Sequence, residues 1–181
     1  MTAAAIRYPR YKRVTSGVIL GLFGLWVAYL LLVPQGSKAA GTGIPIGEAA
    51  PEFELTSLDG RPVKLSDFKG KPVMINFFAT WCQPCRNGIP TLINAYKESE
   101  AQGLVILAVN LKEPDVVVRA FQQKYAIPFL ILMDRDDHVT SMYDIVPLPT
   151  TYFVDRQGVV QGRWMGEITK SQLKAMLSKI L

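Results

Sequence analysis

Between Val14 and Val33 (VTSGVILGLFGLWVAYLLLV) the chain runs for 20 residues without a charge. At ~1.5 Å per helical residue that length crosses a ~30 Å hydrocarbon core. The pattern predicts a transmembrane helix. The next stretch, Pro34 to Gly47 (PQGSKAAGTGIPIG), is rich in glycine and small residues, has no apolar periodicity and reads as a tether. Beyond it the periodicity changes. Phe53 to Leu65 holds two short alternating runs around Asp59-Gly60, a hairpin signal. Pro72 to Ala79 (PVMINFFA) is continuously apolar, as a strand buried on both faces is. A helix is expected from the following motif to about Ala101, with Pro90 removing one of its hydrogen bonds and kinking it.

The remainder alternates. Leu104–Asn110 and Phe129–Met133 read as strands, Asp115–Tyr125 and Val139–Tyr143 as helices. Thr150–Asp155 and Val159–Trp164 form a final hairpin closed by a helix over Lys170–Ile180. The order implies an α/β fold: a mixed sheet with helices on both faces, opened by a β-hairpin and preceded by one transmembrane helix. The boundaries are a basic segment at 1–13, a signal anchor at 14–33, a linker at 34–46 and a globular domain at 47–181.

Charge refines this picture. The formal net charge is +5, but Arg7, Arg10, Lys12 and Arg13 supply four of the 20 Lys+Arg, which leaves 16 against 15 Asp+Glu. No basic face remains for nucleic acid. Four basic residues before the span and only Lys38 soon after it place the N-terminus in the cytoplasm and the domain outside, on a single-pass cell-membrane protein. A cleaved secretory signal is disfavoured, because such apolar regions are shorter and Ser37, Ala39 and Ala40 form a poor cleavage site. Gly17 and Gly21 have the spacing of a helix-pairing motif, but a monomer is expected.

There are 2 cysteines, Cys82 and Cys85, in one motif. A disulfide framework needs more pairs, and a structural zinc site needs four ligands where the chain offers one further histidine, His138, in an Asp-rich setting typical of a solvated surface residue. A redox dithiol remains, with no cofactor and no metal. Where a Cys-x-x-Cys follows a buried strand and opens a helix, the helix N–H groups stabilise the first thiolate and lower its pKa from ~8.5 towards ~7. Cys82 is therefore read as the nucleophile. Cys85, one turn on and expected to be the more buried, resolves the mixed disulfide that Cys82 forms with a substrate. Pro84 fits the first helical turn, where its missing N–H costs nothing.

FFATWCQPC with its preceding strand, APEFELTSLDGRPVKLSDFKGKPV before it, and VPLPTTYFVDRQGVV after it resemble the ResA/TlpA branch of membrane-anchored thioredoxin-like proteins. The likeness covers roughly Gly47 to Leu181. It implies a thioredoxin-like fold and a thiol-disulfide oxidoreductase that reduces protein disulfides outside the membrane. Apocytochrome c is an expected client in cytochrome c maturation, and electrons would come from a membrane-embedded thiol donor. The resemblance makes Pro149 in the LPTT run, beside Leu148, a cis-proline that offers backbone to an extended substrate. Trp81 becomes the aromatic next to the nucleophile, although a core-packing role suits it equally. Glu113 matches a glutamate placed near the active site, with a surface charge as its plain alternative.

Two departures stand out. Asn76 occupies the place of thioredoxin's buried acid, six before the first cysteine, and Gly88 stands where ResA-type proteins carry a glutamate. Glu113 is then the remaining proton-handling candidate. Three alternatives share some of these features. A peroxiredoxin shares the APEFELTSLDG opening, but Ile75 and Ala79 stand where its Pro and Thr belong. A metal-binding module using the two thiols lacks an evident third His or Met ligand. The same dithiol chemistry on other envelope or sporulation proteins is not separable by sequence. A reductant is expected, since Gln83-Pro84 adds no charge between the cysteines and Arg86 is expected to point along the helix.

Overall fold

The computed structural model describes residues 22–26, 29 and 43–181. Residues 22–26 and 29 are helical, with exposed side chains. The remainder of the expected Val14–Val33 span, the basic segment 1–13 and linker residues 34–42 lie outside the described residues. Among the described residues no helix is long and apolar enough to cross a membrane.

From Gly43 onward the chain builds one seven-stranded mixed sheet in the order β2-β1-β5-β4-β3-β6-β7. The strands are β1 (Glu54–Ser57), β2 (Pro62–Lys64), β3 (Val73–Phe78), β4 (Val105–Leu111), β5 (Leu130–Asp134), β6 (Thr150–Val154) and β7 (Val160–Met165). The helices are α1 (Gln83–Ser99), α2 (Asp115–Tyr125), α3 (His138–Met142) and α4 (Lys170–Leu177). Parallel pairing joins β3 to β4 and β4 to β5, while β1 and β6 run antiparallel to their neighbours.

Strand β3 is central because all six of its residues are buried. Alternation along it divides the core. Met74 and Phe78 face one layer with Ile89 and Leu92 of α1, Val118 and Phe121 of α2, and Leu173 and Leu177 of α4. Ile75 and Phe77 face the other, with Val139 of α3, Tyr143 and Tyr152. Each large β3 side chain withdrawn from water contributes on the order of 1.5–3 kcal/mol. Helices thus cover both faces, as the alternating pattern requires.

Helix α1 buries Cys85, Ile89, Leu92 and Ala95, the spacing of a single apolar stripe. Pro90 lies inside it without ending it. A 3-10 turn over Glu100–Gln102 and Gly103 at φ 83° terminate the segment, a left-handed stop suited to glycine. Helix α2 begins after Pro114 and ends at Ala126, also left-handed at φ 50°.

The domain is tied down ahead of the Gly47 boundary read from the sequence. The Gly43 N–H donates to Asp144 Oδ2 at 3.0 Å and the Ile44 N–H to the Tyr152 hydroxyl at 3.1 Å. That hydroxyl donates to the Tyr143 carbonyl, and Tyr143 donates to Pro51. Burial holds the Tyr143 phenol far above its ordinary pKa, reinforced by Glu52 and Tyr152. A side chain at Gly43 would collide with Arg163 and Tyr152, so the close approach requires glycine.

Candidate active site

The register of β3 organises the site. Phe78 pairs with Asn110 at the end of β4, and Phe77 pairs with Thr150 at the start of β6. One end of the sheet therefore gathers three segments: the turn from Ala79 into α1, the residues after β4, and the loop before β6.

The first segment carries the cysteines. Cys82 is the N-cap of α1, with extended backbone at φ −74° and ψ 113°. Its N–H donates to the Ala79 carbonyl at 3.2 Å, and its sulfur accepts from the Cys85 N–H at 3.2 Å. A residue whose side chain receives a first-turn N–H is doing what N-caps do. Cys82 and Cys85 are joined in a disulfide with Cα atoms 5.2 Å apart. Pro84 occupies the first turn, exposed. As whole residues Cys82 and Cys85 are 6% and 4% exposed. The expected contrast in burial is thus slight, because in the oxidised pair both cysteines belong to the same buried cluster. Trp81 is 66% exposed, which removes the core-packing reading and leaves an open indole next to Cys82.

Arg86 departs from expectation. It does not extend along the helix but folds back over the first turn, where Nη1 donates to the Thr80 carbonyl at 3.0 Å and Nη2 donates to Gln83 Oε1. A carbonyl left without a helical partner attracts the guanidinium. The result is a positive group beside the residues that lead into Cys82.

The second segment carries Glu113, half-buried. Its carboxylate accepts the Thr80 N–H at 2.7 Å, the Thr80 hydroxyl, and Asn110 Nδ2 at 2.7 Å. Glu113 is therefore not a free surface charge. Thr80 and Asn110 escaped the sequence reading, and the only signal was their position at the ends of apolar runs.

The third segment is the loop Val146-Pro147-Leu148-Pro149. The Leu148–Pro149 bond is cis, as the resemblance implied, and so is Val146–Pro147. The Pro149 carbonyl accepts the Gly166 N–H at 2.8 Å. Leu148 packs partly buried against the cluster that includes both cysteines. Val146 and Met165 stand exposed.

Two further positions are settled by packing. Asn76 is buried and donates to Thr151 Oγ1 at 2.8 Å, so a neutral cross-strand bond replaces an acid there. Gly88 is buried in α1, yet a Cβ built on it meets nothing within 4 Å. Ile75 and Ala79 are both fully buried. His138 is exposed at the start of α3, its N–H directed at Asp136 Oδ1.

Residues 46–163 match the model of the AhpC/TSA family. The chain is 40% identical to the thiol-disulfide oxidoreductase ResA of Geobacillus thermodenitrificans over 77% of its own length and 80% of that protein's. It is 38% identical to the thiol-disulfide oxidoreductase ResA of Bacillus subtilis over 74% and 75%. Among solved structures, a thiol:disulfide interchange protein of the thioredoxin family from Chlorobium tepidum superposes with a TM-score of 0.67 at 26% identity, covering 75% of this chain and 97% of that one.

Proposed function

Since the chain belongs to the AhpC/TSA family and, within it, to the ResA-type thiol-disulfide oxidoreductases, we propose that its Cys82–Cys85 pair reduces disulfides of exported proteins, apocytochrome c before haem attachment among them. The observation that carries the reading is the placement of both cysteines at the start of α1, on the sheet end that also holds the Leu148–Pro149 loop.

In the reduced enzyme the helix N-terminus favours the Cys82 thiolate. Cys82 Sγ attacks one sulfur of the client disulfide, and the other client sulfur leaves as a thiolate that takes up a proton. Cys85, one turn on, attacks Cys82 Sγ, forms the internal disulfide and releases the second client thiol. Two electrons pass from the dithiol to the client. Trp81, Pro84, Leu148 and Pro149 supply the surface on which an extended client lies, and Glu113 holds the Thr80 turn and influences the charge near the thiols. A membrane-embedded thiol donor returns the pair to its reduced state. The excess of basic residues before Val14 supports a domain anchored outside the cytoplasm.

The test is a Cys85→Ala trap expressed in cells. It should accumulate mixed disulfides on Cys82 with exported cysteine proteins, including cytochrome c polypeptides, and protease added outside the membrane should digest the domain. Complexes made only with cytoplasmic proteins, or full protection of the domain, would contradict the proposal.

A further inference from the structure

Between the first turn of α1 and helix α2 lies an open cleft of about 300 Å³. Thr80 and Arg86 form one wall, Val117 and the buried Phe121 the apolar part, and Lys124 with Tyr125 the far wall. The two cations come from different elements, α1 and α2. Neither is paired with a carboxylate among the described residues: Arg86 is bonded to the Thr80 carbonyl and the Gln83 amide, and Lys124 lies over the Tyr125 ring at 5.5 Å. The acids nearest in sequence to the cleft are already engaged. Asp115 is paired with Arg135 through both oxygens, whereas Glu113 is held by the neutral donors of Thr80 and Asn110 behind the Thr80 wall, where its charge offsets part of the positive field of Arg86 and leaves Lys124 as the cation farthest from an acid on these two segments.

We infer that this cleft is a charge-selective subsite of the client-binding surface, taking an acidic side chain of the substrate polypeptide. The inference rests on the proposed reduction of protein disulfides. A client whose sulfur meets Cys82 lies across the Trp81–Pro84 turn and the Leu148–Pro149 loop, and the part of its chain that continues beyond the turn runs towards Thr80 and Arg86. Thr80 stands two residues before Cys82, and the Arg86 N–H is bonded to the Cys82 carbonyl at 3.1 Å. At ~3.3 Å per extended residue, the side chain about two or three positions from the client cysteine reaches the cleft. Its methylenes meet Val117 and Phe121, and its carboxylate lies between two cations that no carboxylate pairs with directly. A basic residue at that position is repelled, so selection works in both directions.

The experiment uses the full-length protein in neutral detergent, pre-reduced, in single turnovers with three short peptides. Each peptide contains one internal disulfide and differs only in Glu, Gln or Lys two residues from the first cysteine. The Glu peptide should half-saturate at a concentration about fivefold below the Lys peptide, as expected for partly exposed charge pairs, with the same limiting rate. The difference should shrink as salt is raised. Lys124→Glu, at an exposed position, should narrow or invert the order. Equal half-saturation for all three peptides, or an order indifferent to Lys124→Glu, overturns the subsite while leaving the oxidoreductase reading intact. Loss of binding to phosphatidylglycerol vesicles in Lys124→Glu with unchanged peptide preference assigns the cations to lipid instead and overturns it as well. Failure to reduce any of the peptides contradicts the proposed function itself.

Discussion

Glu113 takes two hydrogen bonds from Thr80, one from the backbone N–H at 2.7 Å and one from the hydroxyl. Glu113, the second residue past the end of β4, thereby fixes the turn that delivers Trp81 and Cys82 to the helix. Asn110 supplies a third donor to the same carboxylate.

Removing that carboxylate should separate holding from charge. Glu113→Ala leaves the Thr80 donors without their acceptor and should cost about 1.5–3 kcal/mol of stability, the range for hydrogen bonds to a charged group. Glu113→Gln keeps an acceptor oxygen and a donor for the Thr80 hydroxyl, and should cost much less. Both variants should lower the pH at which Cys82 becomes reactive, since a nearby carboxylate opposes the thiolate. Urea unfolding and pH-dependent alkylation measure the two effects; an unchanged Cys82 profile in Glu113→Gln would assign the residue to holding alone.

The two cysteines should differ in reactivity despite nearly equal burial. In the reduced protein near neutral pH, Cys82 should alkylate at least about tenfold faster than Cys85, because only the N-cap sulfur receives the helix N–H groups. Mass mapping after brief iodoacetamide treatment reads the ratio, and equal labelling would contradict the assignment of nucleophile and resolver.

Gly88 makes a stability prediction of opposite sign. It sits in α1 at a helical backbone geometry, and a Cβ there meets nothing within 4 Å. Gly88→Ala should stabilise the domain by about 0.8–1 kcal/mol, the helix-propensity difference, and raise the melting temperature by roughly 2–4 °C. Destabilisation would show that the space beside Gly88 is filled by a group that must move.

Asp155 carries a pH dependence. Burial pushes its carboxyl up, but hydrogen bonds from Val159, Gln161, Gln157 and Gly158 outweigh burial and hold it below its ordinary value of 3.8. A depressed folded-state value gives stability that is complete above the unfolded pKa and lost as pH falls through the folded one. Asp155→Asn should therefore be less stable than the native chain at neutral pH. The gap should close only in the acid range below about pH 3.8. A constant gap across that range would place the effect in shape rather than charge.

Much of this was legible in the chain because the informative signals were local. The apolar run Pro72–Ala79, the Asp59-Gly60 turn and the spacing within Asp115–Tyr125 each determine an element without help from distant residues, and Cys82 and Cys85 announce their chemistry by adjacency. What stayed hidden depends on register. Thr80 meets Glu113 only because Phe78 pairs with Asn110, and nothing in the local sequence encodes that pairing. Arg86 was misread for a related reason: its direction follows the free Thr80 carbonyl, which is visible only once the helix start is built. The cis bond before Pro147 has no local signature beyond the proline itself.

The central claim is that the Cys82–Cys85 pair is a reducing dithiol. It is tested most directly by equilibrating the full-length protein with dithiothreitol or glutathione buffers and quantifying its oxidised fraction. Helix-start stabilisation, with the Arg86 guanidinium and the Glu113 carboxylate both bonded to Thr80 and opposing each other in charge, predicts a potential nearer ~−270 mV than the ~−120 mV of strong oxidants. A value above about −150 mV would make the protein an oxidant and contradict the account.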